Sequence, residues 1–354
     1  MTLRSVYLHQ FRSYPEKKFD FSDTTTIIVG PNTAGKTNLT EAIFLLSTGK
    51  SFRGQSDSEL IAFEKDIARV GGLVEEEDGK TKIEVAVLSP AATNGRFGKK
   101  YFINGVAKTR LSFRGVLPTV LFRPEELDIV IAGPSLRREF LDTVLETVDR
   151  DYYHARIAYE KALRQRNALL GLAKETGRRN TSQFSYWDNM VITHGQIISQ
   201  KRQEFIEYLN SAQKEVMDIT VGYDHSIISE ERLAQYSDAE VGAGTTLVGP
   251  HRDDFFITTS QNGQERDVKQ FGSRGQQRLV VLQLKLLQIA YVSEKLGKKP
   301  LLVLDDIFSE LDSGHIDLVL AKTHGQQVIL TTTHKEFIPE SLQDSSMIEL
   351  KKYD

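Results

Sequence analysis

Gly30-Pro31-Asn32-Thr33-Ala34-Gly35-Lys36-Thr37 fits the phosphate-binding pattern G-x-x-x-x-G-K-[ST]. The flanks decide the fold. An apolar, β-branched run, Thr26-Ile27-Ile28-Val29, precedes the loop, and apolar residues at helical spacing follow it from Leu39 to Leu46. A strand feeding a glycine loop and then a helix predicts an α/β domain with an anion site at the helix N-terminus. The glycines leave room for backbone N–H groups to point inward at phosphate oxygens. Lys36 is placed to reach β- and γ-phosphates, and the Thr37 hydroxyl suits Mg2+.

Far along the chain, Pro300-Leu301-Leu302-Val303-Leu304-Asp305-Asp306 reads as a buried strand ending in two carboxylates. Four consecutive apolar residues suit a central parallel strand covered on both faces. Ligands bind at the C-terminal ends of such strands. There Asp305 suits the metal-holding carboxylate, and Asp306 suits the group that orients the attacking water or takes its proton. Upstream, Ser273-Arg274-Gly275-Gln276-Gln277 opens an apolar helix from Leu279 to Tyr291. Its hydroxyl and free N–H groups suit a γ-phosphate. Downstream, Ser309-Glu310-Leu311-Asp312 precedes an apolar strand, Gln327 to Leu330, that ends in Thr331-Thr332-Thr333-His334.

At 354 residues the length fits about two domains. Alternation predicts strands over Leu3–Leu8 and Ile83–Leu88, and Asn104-Gly105 predicts a hairpin after Lys99–Ile103. From Leu136 to Leu170 the apolar spacing is helical, and a second helical pattern runs from Trp187 to Leu209. The polar turn Glu175–Asn180 separates them, which predicts an antiparallel helical arm. The predicted organisation is a discontinuous α/β domain over 1–134 and 241–354, interrupted by a helical arm over 135–240. The chain has no cysteine, so thiolate metal sites are excluded. Its start lacks an apolar leader and no segment suits a bilayer, so a cytoplasmic location is expected. Net charge is -3, so any nucleic-acid binding must use a local basic patch.

The motifs occur in the order of an ABC-type ATPase head and resemble its Walker A, signature, Walker B, D-loop and H-loop segments. Phe11-Arg12-Ser13-Tyr14 resembles the SMC and Rad50 branch. Ile103-Asn104-Gly105, Phe122-Arg123-Pro124-Glu125-Glu126-Leu127, Arg137-Arg138-Glu139-Phe140-Leu141-Asp142 and Val248-Gly249-Pro250-His251-Arg252-Asp253-Asp254 are similar to the RecF family of bacterial recombination mediators. The resemblance runs from about residue 3 to 334. It implies an ABC-type head, a mixed sheet with a P-loop helix, interrupted by the arm. It further implies ATP and Mg2+, with nucleotide contacts from Arg12, Gly30, Pro31, Asn32, Thr33, Ala34, Gly35, Lys36, Thr37, Asn38, Gly275 and Gln276. Metal contacts would come from Thr37 and Asp305, and catalytic roles would fall to Lys36, Ser273, Asp306 and His334. Thr33 departs from the family pattern, standing where glycine is usual.

The resemblance also implies a weak, DNA-stimulated ATPase that forms a homodimer in the presence of ATP, with Ser273 acting on the partner's nucleotide. Its implied partners are double-stranded and gapped DNA, RecR and RecO, and indirectly RecA, with no membrane. Candidate phosphate contacts are Lys50, Arg53, Lys99, Lys100, Lys108, Arg110 and Arg114, and on the arm Lys161, Arg164 and Arg166. His251 and Arg252 suit either a loop-holding or a catalytic role. Tyr186 and Trp187 are read as arm core. A transporter's nucleotide-binding subunit shares the ATPase motifs, but the arm and Phe11-Arg12-Ser13-Tyr14 argue against it. A P-loop small-molecule kinase would not need Ser273-Arg274-Gly275-Gln276. A long-tethered SMC or Rad50 relative would carry far longer coiled coils.

Overall fold

The computed structural model describes residues 1–53, 56–93, 95–177, 181–261, 263–309, 311 and 313–351. Three strands open the chain: β1 (Thr2–Phe11), β2 (Tyr14–Asp20) and β3 (Thr25–Val29). β3 feeds the glycine loop, and helix α1 (Lys36–Thr48) follows, as the motif requires. Next come β4 (Ile67–Glu76), β5 (Gly79–Leu88), β6 (Gly98–Ile103), β7 (Val106–Lys108) and β8 (Thr119–Phe122). Asn104 and Gly105, at φ 50° and 77°, make the tight turn between β6 and β7. Helices α2 (Pro134–Val148), α3 (Arg150–Thr176) and α4 (Thr181–Ser211) follow. Then come β9 (Thr220–Asp224), β10 (Asp254–Gln261), β11 (Gln264–Asp267) and helix α5 (Arg274–Leu296). The last elements are β12 (Leu301–Leu304), helix α6 (Ser313–Lys322), β13 (Val328–Thr332) and β14 (Ser346–Glu349).

The chain forms two compact units, Met1–Glu126 with Gln288–Asp354, and Leu127–Leu287. The first holds two sheets. One is antiparallel, ordered β2-β1-β4-β5-β6-β7. The other is parallel, ordered β14-β3-β13-β12-β8, so β12 is flanked on both sides as its apolar run predicts. Helix α1 shares one core with residues of both sheets. Leu39, Ile43, Leu45 and Leu46 are fully buried with Val6 and Leu8 of β1, Val303 of β12 and Ile329 of β13. Each such side chain contributes about 1.5–3 kcal/mol of burial. A helix buried on most of its sides, with its buried polar groups paired, makes the loop at its head a rigid mount. Gln327 ties the sheets together: its Oε1 accepts from Leu3 N (2.8 Å), and its Nε2 donates to Leu3 O (2.9 Å) and Ser22 O (2.6 Å).

The second unit is larger than the predicted arm. Residues 127–134 and 241–287 cluster with it, because β10 pairs with β9 and β11 in a three-stranded antiparallel sheet. Its first helical segment is also not continuous. Asp149 leaves helical geometry (φ -129°, ψ 112°), and its side chain accepts from Tyr152 N at 2.9 Å, capping α3. Arg178, Arg179 and Asn180 of the predicted turn lie outside the described residues. No described helix is long and apolar enough to cross a membrane.

Candidate nucleotide-binding site

Parallel pairing brings the C-terminal ends of β3, β13, β12 and β8 to one edge of the sheet. The glycine loop therefore shares that edge with Asp305 and Thr333-His334, although 265 positions separate Thr40 of α1 from Asp305. Pro31, Asn32 and Thr33 are exposed at the top of the loop, whereas Lys36 is buried. Lys36 Nζ donates to the loop's own carbonyls, Gly30 O at 2.9 Å and Pro31 O at 3.3 Å. These contacts hold the ammonium inside the loop. Gly35 caps α1 at φ 97°, and a Cβ there would lie 2.4 Å from the Tyr14 hydroxyl. Glycine is thus required both by conformation and by the close tyrosine. The Tyr14 hydroxyl donates to Gly35 O at 3.2 Å. Thr33 takes φ 73°, a left-handed conformation that is costly for a β-branched residue.

Asp305 is buried at 4% exposure. Its Oδ1 accepts from Thr331 Oγ1 at 2.7 Å and its Oδ2 from Thr40 Oγ1 at 3.2 Å. Burial raises its pKa; the hydroxyls of Thr331 and Thr40 oppose the shift, and the neighbouring Asp306 and Glu125 charges add to it. A cation beside Asp305 would relieve that cost, and this donor chemistry fits Mg2+. Asp306 adopts φ 48°, its N–H donating to Thr331 Oγ1 at 2.9 Å. Thr40 and Thr331 were not foreseen as site residues. Their signal in the sequence is weak: a threonine one turn into the loop helix, and one at a strand end.

Arg12 lies in the β1–β2 turn, and Asn38 on α1 reaches the same turn. Asn38 Nδ2 donates to Ser13 Oγ at 2.9 Å. Arg12 grips the fully buried Glu41 carboxylate with Nε (2.9 Å) and Nη2 (2.7 Å), and also reaches Glu59 at 3.3 Å. Burial pulls the Arg12 pKa down, but Glu41 and Glu59 overcome it and the pKa ends above its ordinary value. The Arg12 side chain, predicted as a nucleotide contact, is here a clamp on α1. Ser51 Oγ also donates to Glu41, and Arg53 lies 3.6 Å away.

Ser273-Arg274-Gly275-Gln276 belongs to the second unit and is solvent-exposed but for the half-buried Gln276. Ser273 N donates to Gln276 Oε1 (2.9 Å), and Gln276 N donates to Ser273 Oγ (3.3 Å). That reciprocal capping box fixes the start of α5. His334 follows β13, its ring edge-on to Phe337 at 5.5 Å. In the Ser309–Asp312 segment, Glu310 and Asp312 lie outside the described residues.

Several other expectations change. Arg166 is fully buried, paired with Asp188 (2.6 Å) and Glu240 (2.7 Å) and donating to Thr246 Oγ1 (2.8 Å), so it cannot meet DNA. Arg114 is buried too. Lys50, Lys100, Lys108, Lys161 and Arg164 are exposed, and Lys99 pairs with Asp57 at 2.6 Å. Tyr186 is 60% exposed and is not arm core; it packs edge-on to the half-buried Trp187. His251 holds its loop: Nε2 donates to Thr246 O at 3.0 Å, and Nδ1 accepts from the Tyr159 hydroxyl at 2.7 Å. Arg252 donates to the same Thr246 carbonyl at 3.0 Å.

Residues 2–353 match the family model described as RecF/RecN/SMC N terminal domain. A DNA replication and repair protein RecF from an Exiguobacterium species is 35% identical, with 99% of this chain and 98% of that protein covered. Its counterpart from Oceanobacillus iheyensis is 32% identical, with 99% and 98% covered. Among solved structures, the recombination mediator protein RecF with ATP, in the RecFOR pathway, is similar at 33% identity and TM-score 0.84, covering 96% of this chain and 93% of that chain. An Smc head domain of Pyrococcus furiosus is similar in fold, at 16% identity and TM-score 0.54, covering 98% and 93%.

Proposed function

The chain belongs to the RecF family, within the RecF/RecN/SMC N-terminal-domain group, and from that membership we propose that it is an ATPase of DNA replication and repair whose nucleotide joins two copies on DNA. The observation that carries the reading is the shared edge where Lys36, Thr37, Asp305 and Asp306 meet. On binding ATP, Lys36 Nζ exchanges the Gly30 and Pro31 carbonyls for β- and γ-phosphate oxygens, and the loop N–H groups from Asn32 to Thr37 hold the remaining oxygens. The Thr37 hydroxyl and Asp305 would hold Mg2+, which would supply charge neutralisation at the phosphates. Asp306 orients the attacking water and accepts its proton, and His334 lies at the same edge to contact the γ-phosphate.

Ser273, Gly275 and Gln276 form an exposed helix start, and an anion there would replace the capping contacts that hold the Ser273 and Gln276 N–H groups. A phosphate loop in one unit and this turn in the other suit a head-to-tail pair of copies, each completing its partner's site. Hydrolysis then removes the shared γ-phosphate and releases the pair, as in other order-and-release switches. The basic residues Lys50, Lys100 and Lys108 suit DNA phosphates. Two similar RecF structures are of the protein in the RecFOR pathway, which supports RecO and RecR as partners, with RecA loading at gapped DNA as the outcome. Slow, DNA-stimulated turnover suits such a timer. Analytical ultracentrifugation with and without ATP and gapped DNA tests this. A dimer that forms only with nucleotide and sediments with the DNA is expected; a monomer under all conditions defeats the proposal.

A further inference from the structure

Helix α1 is held at its far end by the β6–β7 hairpin and the segment after it. The last carbonyls of a helix carry partial negative charge and lack intrahelical partners. Arg110 Nε donates to Thr48 O at 3.0 Å, the Tyr101 hydroxyl to Gly49 O at 3.3 Å, and Lys99 Nζ to Gly49 O at 3.4 Å. The fit is close. Gly49 sits at φ 71°, and a Cβ there would meet the Tyr101 ring at 2.9 Å and the Arg110 side chain at 3.2 Å. Tyr101 is itself backed by Phe113, with ring centroids 5.3 Å apart. Lys100 is exposed on the face of the hairpin opposite Tyr101, whereas Lys108, which pairs with Tyr101, is exposed on the edge strand β7. One ribbon thus presents Lys100 on one face and caps the phosphate-loop helix with the other. The thirteen residues of α1, about 20 Å of largely buried helix, run from Lys36 to that cap.

We propose that Tyr101 and Arg110 are positioning residues that couple contact of this hairpin with DNA phosphates to the seating of nucleotide at Lys36 and Thr37, acting through α1. The inference rests on the reading above that the hairpin meets DNA. A phosphodiester that draws Lys99, Arg110 or the ribbon outward loosens the cap, and a helix packed on most of its sides moves as a rod rather than deforming locally. Coupling of this kind is reciprocal, so nucleotide changes DNA affinity by the same factor.

The test measures affinity for a fluorescent non-hydrolysable ATP analogue with and without saturating duplex DNA. DNA binding is followed separately by anisotropy. The wild-type protein is expected to show a ratio of about fivefold or more. In Tyr101→Phe and Arg110→Gln, taken singly, the ratio falls toward one while each ligand still binds; Tyr101→Phe keeps the ring against Gly49 and so preserves packing. Lys100→Gln weakens DNA binding but keeps the wild-type ratio at saturation. Wild-type protein that does not bind DNA overturns the underlying DNA reading. Wild-type protein that binds DNA with a ratio of one, or a Tyr101→Phe variant with the wild-type ratio, overturns the coupling alone.

Discussion

Thr33 is the residue whose chemistry disagrees most with its place. At φ 73° its branched side chain pays a conformational cost that glycine would avoid. Glycine also loses more freedom on folding, so the two effects partly cancel. Thr33→Gly is expected to raise stability by about 0.5–1 kcal/mol, read from urea unfolding; a loss of stability would show that Thr33 earns its conformation through contacts. Lys36→Met removes the ammonium held at Gly30 and Pro31. It is expected to abolish ATP binding and nucleotide-dependent dimerisation while leaving the fold intact, as equilibrium dialysis and light scattering report. At this scale the loop was legible because its residues are consecutive. The Thr40–Asp305–Thr331 chain was not, since a hydroxyl's partner hundreds of positions away leaves no local trace. Arg12 was legible as important but not as a clamp, because Glu41 is just one of many acidic residues until the turn and helix are side by side.

Among the elements, the loop before β10 shows how polar residues hold an interior together. Arg202 donates to Pro250 O (2.7 Å), to Asp253 (3.0 Å) and to Asp142 (2.7 Å), and Asp253 is fully buried. His251 beside them must stay neutral: burial lowers its pKa to about 4, the Thr246 contact opposes the shift, and the Arg252 and Arg138 charges assist it. The unfolded chain takes up that proton near pH 6.5 while the folded chain does not. The stabilisation is therefore complete above pH 6.5 and is lost as pH falls toward 4, by up to about 3 kcal/mol. Urea unfolding of His251→Asn between pH 7 and 4.5 is expected to show a shallower pH slope than the wild type; equal slopes would exclude His251 as the source. Helix periods and the Asn104-Gly105 turn were readable, being short-range signals. The break at Asp149 was hidden because apolar spacing continues across it, and only the side-chain bond to Tyr152 N reveals the cap.

For the molecule as a whole, the phosphate loop and Ser273 lie in different compact units. Ser273→Arg is expected to leave ATP binding intact yet block dimerisation and hydrolysis, since the bulk falls on an exposed helix start. A light-scattering mass of two copies with ATP would sink the composite-site reading. DNA affinity is expected to fall steeply with salt, in proportion to the phosphates contacted; a flat titration would argue against backbone contacts. The order of motifs made the discontinuous α/β domain legible. The extent of the second unit was not, because the pairing of β9 with β10 spans residues whose alternation alone does not say which sheet they join.

The parallel sheet also bears on biosynthesis. The strand that carries the phosphate loop, β3, pairs with β13 and β14, and Leu350 N donates to Val29 O at 2.7 Å. A Cβ on Gly30 would lie 2.9 Å from Leu350, so the loop's first residue is moulded against a segment made more than 300 residues later. A ribosome must add about 300 residues after β3 before either neighbour exists. At roughly 5–20 residues per second, the nascent strand waits tens of seconds without a partner. The phosphate loop is therefore written long before the strands that mould it, and it takes its final shape only once they are in place.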